Sequence, residues 1–523
     1  MRTNSFARRA AVLAAVALAL AGAAGTPHAA THALESIPVE SPVYRMVDAL
    51  VTSYGFAGAF HSTRPWDRAD LGRFLDQLVT DRPAAADDPL VVRLRRELGG
   101  AGGPGGWDAL VALEDERSSL EVSPYVRADY SEDRAHHEVV RDFRGGVQAS
   151  LAMGEHLLAW ADVYAGTSSP GGHGNPVESR HFGLVEGVQV NSWFDRATVA
   201  WRGSWGRVQA GHTWLRWGPG AWGTMALSDA APAFDLAEAR VALPGPAQFA
   251  WFVASLDPVT QSYLAGHRVE LCVGNRLDVA FSELARFDGT ASVPGYLLGI
   301  TPYSLLEKRL LHGTAADDDS TNRWAKNNVM WSADAAWRWK PGVRLYGEIA
   351  VDDISFSSEP RPDALAWQLG LDARRVRGNA AWSFRGEYAR VYRFTYSVYH
   401  HHDFEFAGLP TGFPLGPDVD RTRARVERRA SPEWAFGLEG TYTRKGESTL
   451  GDAYTPGTPV PNNLVLSGVP ERDARAALTA DWSPAPGLAA GVTAGWARVT
   501  ALGHAEGADE SAPFGSTRFT LRW

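Results

Sequence analysis

The run Tyr399-His400-His401-His402-Asp403 holds the residue types that point most directly to chemistry. Adjacent histidines on a loop can bind a transition metal. Beside the tyrosines of the same region they can instead stack on sugar rings and hydrogen-bond to sugar hydroxyls. A solvated loop without a ligand is the third alternative. The residues predicted for carbohydrate contact are Tyr396, Tyr399, His401, Asp403 and Tyr454.

Motifs for catalysis or metal binding are absent from the rest of the sequence. There is no Walker motif, GxSxG elbow, HExxH pair or CxxC pair, and no spacing of Ser, His and Asp singles out a triad. The acidic run Asp317–Asp319 lacks the glycine and the closing glutamate of a calcium loop. The single cysteine, Cys272, excludes an intramolecular disulfide and a cysteine-based zinc site. We therefore predict no catalytic residue, no cofactor and no metal site.

Charged residues at alternate positions form a second group of interest. Arg421, Arg423 and Arg425 alternate with small or apolar residues, and Arg385 and Glu387 repeat the spacing on an earlier run. A β-strand would point each set to one face. Inside a closed barrel these charges would form either a salt-bridge network that fills the interior or an anion-attracting path. Both alternatives require the same side-chain direction, so the sequence leaves them open.

Alternating strands must position these groups. From Leu120 to the end of the sequence, apolar and polar residues alternate with a period of two, as in strands that separate two environments. In Val329–Trp339 the tryptophans share one face with alanines, and Ser332 and Asp334 lie opposite. The chain holds 20 Trp, 15 Tyr and 53 Gly, a composition that suits a membrane barrel with two aromatic girdles.

The connections between these strands alternate in length. Lys340–Gly342 and Arg377–Asn379 are short, whereas Asp352–Asp363 and Tyr399–Val419 are long. Outer-membrane barrels have short turns at one end and longer loops at the other. About nineteen candidate strands can be counted, and single-chain bacterial barrels have even numbers, so we predict a transmembrane antiparallel β-barrel of about 18 strands. The long segment Gly218–Phe234 is predicted to fold into the lumen.

The last ten residues are predicted to close this barrel. They place Phe519 and Leu521 on one face and Arg518 and Arg522 on the other. A free terminal strand with an apolar face is an aggregation hazard, which a barrel seam facing lipid removes. We predict that this strand ends at the periplasmic rim, pairs with a strand near Leu120–Tyr130 and points its arginines inward.

The first 30 residues are predicted to be a secretory signal. Arginines precede a 15-residue apolar run, Ala10–Ala24, and small residues follow it. That run is too short to span a bilayer comfortably. Cleavage is expected near Ala29 or Ala30.

Residues 31–118 are predicted to form a helical bundle followed by a Gly-rich linker, with the barrel covering residues 119–523. Ser41-Pro42, Thr63-Arg64-Pro65 and Asp88-Pro89 each combine a capping residue with an early proline, as at helix starts. Leucines and aromatic residues then recur at helical spacing. A short fourth helix is predicted over Asp108–Glu116.

Two segments resemble those of the capsule assembly protein Wzi family. One is GHTWLRWGPG with the following LSDAAPAFD, and the other is GLPTGFPLGPDVD. The helices that carry Arg64-Pro65 also look like the family's opening, so the resemblance spans nearly the whole chain after the signal. The family pattern has Arg where His212 stands, and histidine is charged only when protonated, so no carboxylate contact is carried over there. The matching residues are Gly211, His212, Trp217, Gly218, Pro219, Gly220, Ser228, Asp229, Pro232, Gly416, Pro417 and Asp418.

The resemblance implies a Gram-negative outer-membrane barrel with a periplasmic helical bundle. It also implies a lectin-like, non-enzymatic role in attaching capsular or other surface exopolysaccharide to the cell. Expected partners are that polysaccharide, outer-membrane lipid and the barrel assembly machinery. Nucleic acid is not expected, because the formal net charge is −9. A porin-type diffusion channel, based on the lumen arginines, and more weakly an outer-membrane hydrolase remain as alternatives.

Overall fold

The computed structural model describes residues 33–99, 111–115, 118–168, 190–297, 299–306, 327–354, 361–378, 380–397, 402–455, 458–485 and 487–522. Its long strands form one closed antiparallel barrel of 18 strands. The predicted fold class and strand number are therefore confirmed. The predicted signal lies outside the described residues.

Each barrel strand pairs with its neighbours in the chain, and the last pairs with the first. The closing pairs run from Phe514 opposite Asp133 to Arg522 opposite Tyr125, as the predicted seam requires. The strands are β1 (Ser118–Asp133), β2 (Glu138–Met153), β3 (Leu157–Ser168), β4 (Val190–Arg202), β5 (Gly206–Thr213), β6 (Phe234–Leu243), β7 (Ala247–Asp257), β8 (Ser262–Val273), β9 (Leu277–Asp288), β10 (Asn328–Lys340), β11 (Val343–Asp353), β12 (Ala364–Arg377), β13 (Ala380–Val391), β14 (Val419–Arg429), β15 (Trp434–Lys445), β16 (Glu471–Ala485), β17 (Leu488–Thr500) and β18 (Glu510–Arg522).

The two faces of the barrel wall differ as the alternation predicts. On β10, Trp331 and Trp337 are 46% and 44% exposed on the outer face, whereas Ser332 and Asp334 are buried inside. Successive side chains on a strand point to opposite faces, so a period of two separates an apolar exterior from a polar lumen. An outer surface of this kind is suited to lipid.

The connections differ between the two ends of the barrel. At the end where β18 finishes, which we call the short-turn end, strands are joined by two- or three-residue turns or, between β14 and β15, by residues 430–433. The opposite end, the long-loop end, carries residues 214–233, 392–418 and 446–470. The two long connections named from the sequence, Asp352–Asp363 and Tyr399–Val419, lie at this end.

Three helices precede the barrel: α1 (Pro42–Tyr54), α2 (Arg68–Asp81) and α3 (Pro89–Glu97). The Ser41 and Asp88 side chains cap α1 and α3 as predicted. α2 begins later than predicted, because Asp67 and Asp70 form the capping box. Of the described helices, including the one-turn α4 (Val293–Leu297), none combines the length and hydropathy needed to cross a membrane.

The predicted fourth helix at Asp108–Glu116 is wrong. Its described part, Val111–Glu114, is a strand that pairs with β1 from Val111 opposite Val122 to Glu114 opposite Ser119. The reason lies in the register of the seam: β18 pairs with β1 only as far as Tyr125. The free edge below that point accepts another strand, whose hydrogen bonds satisfy the exposed backbone.

The helices occupy part of the mouth of the barrel at the short-turn end. Arg93 Nη1 donates to the Ser483 carbonyl oxygen over 2.6 Å, and Arg96 Nη1 lies 2.9 Å from Glu433 Oε1. On β12, Arg374 makes two 2.8 Å bonds to the buried Asp88 carboxylate. Paired, buried charges of this kind fix the orientation of the helices relative to the wall.

Candidate functional site

Two inserted segments meet inside the lumen. From the short-turn end, Thr63–Arg64 extends inward and pairs with Arg216–Trp217, which comes from the long-loop end. The Gly218 amide also donates to the Ser62 carbonyl oxygen over 2.8 Å, and Trp217 is almost fully buried. The segment beginning at Gly218 therefore folds into the lumen, as predicted.

Gly218 shows why the sequence needs glycine at this crossing. Its φ is 122°, and a Cβ atom there would lie 2.5 Å from the Glu348 carboxylate. Glu348, on β11, accepts a 2.8 Å hydrogen bond from the Met225 amide. The barrel wall thus holds the inserted segment so closely that a side chain at Gly218 has no room.

The two segments that resemble the Wzi family contact each other and a third loop. The Ser228 amide donates to the Thr411 carbonyl oxygen over 2.7 Å, and the Asp418 carboxylate accepts a 3.1 Å bond from the Ser467 amide. Asp229 lies 3.4 Å from Arg216. These contacts draw the long-loop end inward. Gly211, Trp217, Pro219, Gly220, Pro232, Gly416 and Pro417 lie in or beside these same segments.

His212 lies on the outer face of the wall near the long-loop end. Its Nδ1 is 2.8 Å from Asp235 Oδ1, and the Asp235 side chain is 78% exposed. The neighbouring inward position, Gln209, is buried. His212 therefore makes no contribution to the interior of the barrel.

The residues predicted for carbohydrate contact divide into three groups. Tyr396 is wrong for this role: it is fully buried, and its hydroxyl bonds to the Met225 carbonyl oxygen and the Phe413 amide. Asp403 and Tyr454 are partly exposed at the long-loop end. Tyr399 and His401 lie outside the described residues. The surface candidates that remain to be tested are therefore Asp403 and Tyr454.

Arg385 and Glu387 on β13 point into the lumen and bind α1 and the inserted segment that contains Gly218. Arg385 Nη2 donates to Asp48 of α1 over 3.0 Å. The Glu387 carboxylate accepts 2.8 Å and 2.9 Å bonds from the Ala221 amide and the Tyr346 hydroxyl. One strand thus holds a helix from one end of the barrel and a loop from the other.

The three arginines of β14 also point inward. Arg421 Nη2 donates to the Trp222 carbonyl oxygen over 2.8 Å, and the Arg423 guanidinium lies 4.7 Å from the centre of the Trp222 ring. Arg425 Nη2 is 3.1 Å from Asp481 Oδ2. Arg421 and Arg423 therefore hold the inserted segment through Trp222. These contacts agree with the structural alternative, in which lumen charges fill the interior, more than with an anion-attracting path.

A buried ion cluster locks α1 against the wall. Asp48 lies close to His61 and to two arginines of the barrel, Arg344 and Arg385, at 3.6 Å and 3.0 Å. Burial raises the pKa of Asp48, but these guanidinium groups hold it well below its usual range. Burial lowers the pKa of His61, against the effect of Asp48. The Asp48 carboxylate is therefore charged at neutral pH.

One buried bidentate ion pair of the interior, Arg268 with Asp334, could not be singled out from the sequence. Arg268 donates to Asp334 over 2.6 Å and 3.0 Å and to the Thr63 hydroxyl over 2.9 Å. The Ser62 amide donates to Glu270 over 2.9 Å. The alternation on β8, where Arg268 and Glu270 flank Val269, is the signal that places them inside.

A turn at the long-loop end, residues 134–137, is held by His136. Its Nδ1 lies 3.2 Å from Asp133 and its Nε2 lies 3.5 Å from Glu471 on β16. Hydrogen bonds to these two carboxylates raise the pKa of His136 to about 10. The imidazolium therefore bridges β1 and β16 at neutral pH.

The histidine contact predicts a titration at unusually high pH. Because the folded pKa lies above the ordinary value near 6.5, the stabilisation is fully present below that value and is lost as pH rises through about 10. In ¹³C-histidine NMR, the resonance that disappears in His136→Gln should titrate near pH 10. A midpoint near 6.5 would show that the bridge does not form.

One cluster contains the residue types of a hydrolase without their arrangement. Asp288 Oδ1 accepts a 2.7 Å bond from the Ser262 hydroxyl, and Asp288 Oδ2 lies 3.1 Å from His402 Nε2. The carboxylate stands between serine and histidine, so His402 does not accept the serine proton as in a triad. In the described part of the chain, no group of three or more His, Cys, Asp or Glu side chains is arranged to hold a metal ion.

The fold is that of an outer-membrane β-barrel. It is similar to the solved structure of Wzi from Escherichia coli, described as a carbohydrate-binding barrel involved in group 1 capsule assembly, with a TM-score of 0.62 and 14% identity over 93% of this chain and 99% of that one. The Pseudomonas aeruginosa barrel OprD matches with a TM-score of 0.41 and 11% identity, over 79% of this chain and 97% of that one. No protein-family model and no curated protein matches the sequence.

Proposed function

We propose that this chain is a non-enzymatic outer-membrane barrel that binds capsular or other surface exopolysaccharide and anchors it to the cell. The observation that carries the proposal is the meeting of Thr63–Arg64 with Arg216–Trp217 inside the lumen. A barrel filled from both ends offers a rigid platform, whereas a diffusion channel needs a continuous path. The similarity to a carbohydrate-binding barrel gives the same indication.

In this proposal the long-loop end faces the outside and the helices face the periplasm. The apolar outer wall contacts outer-membrane lipid, and insertion depends on the cell's barrel assembly machinery. Asp403 and Tyr454 are the described candidates for sugar contact at the outer surface. A carboxylate and a tyrosine supply a strong acceptor, a donor and an aromatic face, which together suit sugar hydroxyls and rings.

Deleting the gene should release polysaccharide into the medium without lowering its total synthesis. Anchoring depends on binding at the surface and not on polymerisation, so only the distribution should change. Cell-bound and free polysaccharide would be measured in the deletion strain, and in the same strain complemented with wild type or with the Asp403→Ala, Tyr454→Ala double variant. An unchanged cell-bound fraction after deletion would refute the anchoring role.

A porin-type channel is the second candidate, and one observation favours it. A cavity inside the barrel is lined by residues of the short-turn end and extends along β1 as far as Ser131, near the end of that strand. Purified protein in a planar bilayer would show stable conductance steps if this cavity continued between the loops of the long-loop end to the other side of the barrel. A silent bilayer would favour the closed binding barrel.

A further inference from the structure

One side of the lumen is left unfilled. A cavity of about 1140 Å³ lies between the three helices and the inner faces of β12 to β14, β16 to β18, β1 and β2. Glu433 and Ser483 line it at the short-turn end, and its other end reaches Val140 and Ser516. A molecule entering from the short-turn end would therefore reach deep into the barrel.

Side-chain size explains why this side stays open. On β17 the inward positions are small, with Ala489, Gly491 and Thr493 lining the cavity. On the opposite wall, β8 and β11 carry Arg268 and Glu348, whose long side chains bind the inserted segments. The sequence thus builds one wall that holds the filling of the barrel and one wall that leaves space.

The cavity is rich in positive charge. Twelve arginines and nine acidic residues line it. Arg45 of α1 is exposed to the cavity and makes no hydrogen bond or ion pair with the described residues. Enclosure by the barrel and then the nearby Arg425 guanidinium lower the pKa of Arg45. Guanidinium groups inside a protein that make no direct ion pair attract anions.

Two further arginines keep unused donors. Arg518 on β18 bonds only through Nε to Asp129, at 2.8 Å, and its side chain is 65% exposed within the cavity. Arg423 on β14 uses Nε and Nη2 for Glu439 and leaves Nη1 without a partner among the described residues. The ring of Trp222, beside Arg423, also lines the cavity. Free guanidinium donors and an aromatic ring together suit an acidic sugar.

We propose that this cavity binds an anionic oligosaccharide, entering from the short-turn end, with its carboxylate or phosphate groups on Arg45 and Arg518 and a sugar ring near Trp222. Four strand spacings of ~4.8 Å separate Arg423 on β14 from Arg518 on β18, a path of ~19 Å along the wall, enough for several sugar units. The inference deepens the proposed function and rests on it, because it adds an acidic-glycan site within the barrel to the surface binding.

The test is a titration of purified full-length protein in detergent with three probes: tetragalacturonate, glucose 1-phosphate and neutral maltotetraose. Tetragalacturonate should bind, more weakly as salt rises, and Arg45→Ala and Arg518→Ala should each weaken it about tenfold, the size of one charge-assisted hydrogen bond. Arg472→Ala removes the same charge from the outer face of β16 and should leave the dissociation constant unchanged.

The outcomes separate this site from the surface function. Binding of glucose 1-phosphate alone, weakened by Arg45→Ala, would support the site and assign a phosphate-bearing glycan. Binding of maltotetraose as tight as tetragalacturonate, no binding of either acidic probe, or dissociation constants unaffected by both arginine variants would overturn it. The anchoring role is judged independently, by the cell-bound polysaccharide of the deletion strain.

Discussion

Removing Phe519–Trp523 should abolish insertion of the barrel into the outer membrane. The described part of this segment pairs with β1 on one side and β17 on the other, from Phe519 opposite Ala128 to Leu521 opposite Leu488. Without it, both neighbours would present unpaired N–H and C=O groups to lipid, at several kcal/mol each. We expect the amount of the inserted, heat-modifiable barrel in outer-membrane fractions to fall at least about tenfold, because the costs of the unpaired groups add up along the seam.

The matched control keeps the backbone ladder and changes one outward side chain of the same strand. Thr517→Val lies opposite Val492 and Tyr130, and it should insert like wild type because an apolar group there faces lipid. Normal assembly of the truncated chain would show that β18 does not form the seam. Failure of the control would show instead that insertion responds to any change in this strand.

Much of the barrel could be predicted from the sequence because one physical constraint repeats along it. Each strand separates lipid from a polar interior, so Trp331 and Ser332 had to fall on opposite faces. The seam followed from the same rule, since an unpaired last strand is not tolerated in lipid. The inward direction of Arg421, Arg423 and Arg425 followed in the same way.

The filling of the lumen could be predicted only in part. The segment beginning at Gly218 is too long for a turn, but its partner, Thr63–Arg64, is a dipeptide that carries no period and lies about 150 residues earlier. The cap at Asp67 was missed for a related reason, because Thr63-Arg64-Pro65 resembles a helix start and is instead drawn into this pairing. The pairing of Thr63–Arg64 with Arg216–Trp217 depends on how the two segments meet inside the lumen, which no local sequence pattern records.

Tyr396 shows the limit for the candidate site. In sequence it stands among tyrosines and histidines, as a surface aromatic would, and amphipathic rings occur in both settings. Burial is decided by partners in other segments, Met225 at 171 residues and Phe413 at 17 residues along the chain, which satisfy its hydroxyl. The open cavity was equally out of reach, because it depends on small side chains on one wall and large ones on the other.

Replacing Asp48 by alanine should release the helices from the mouth of the barrel while the barrel itself stays closed. The substitution removes one of the two buried carboxylates, Asp48 and Asp372, that Arg344 and Arg385 share, and breaking a buried pair in this way costs up to about 3–5 kcal/mol. The strand pairs do not involve Asp48. We expect trypsin to cleave the variant within α2 and α3, where wild type is protected, with unchanged heat-modifiable mobility of the barrel.

Asp76→Ala provides the comparison, because Asp76 also pairs with an arginine, Arg95, but its side chain is 74% exposed. Such surface pairs contribute only about 0–1 kcal/mol, so its cleavage pattern should match that of wild type.

The pKa of Asp48 is depressed in the folded protein, so the stability that Asp48 contributes is present above the ordinary carboxylate range and is lost only as pH falls through the lower folded value. Wild type should therefore stay protected at mildly acidic pH. Equal protection of Asp48→Ala and Asp76→Ala would mean that the wall holds the helices mainly by other contacts, such as Arg374 with Asp88.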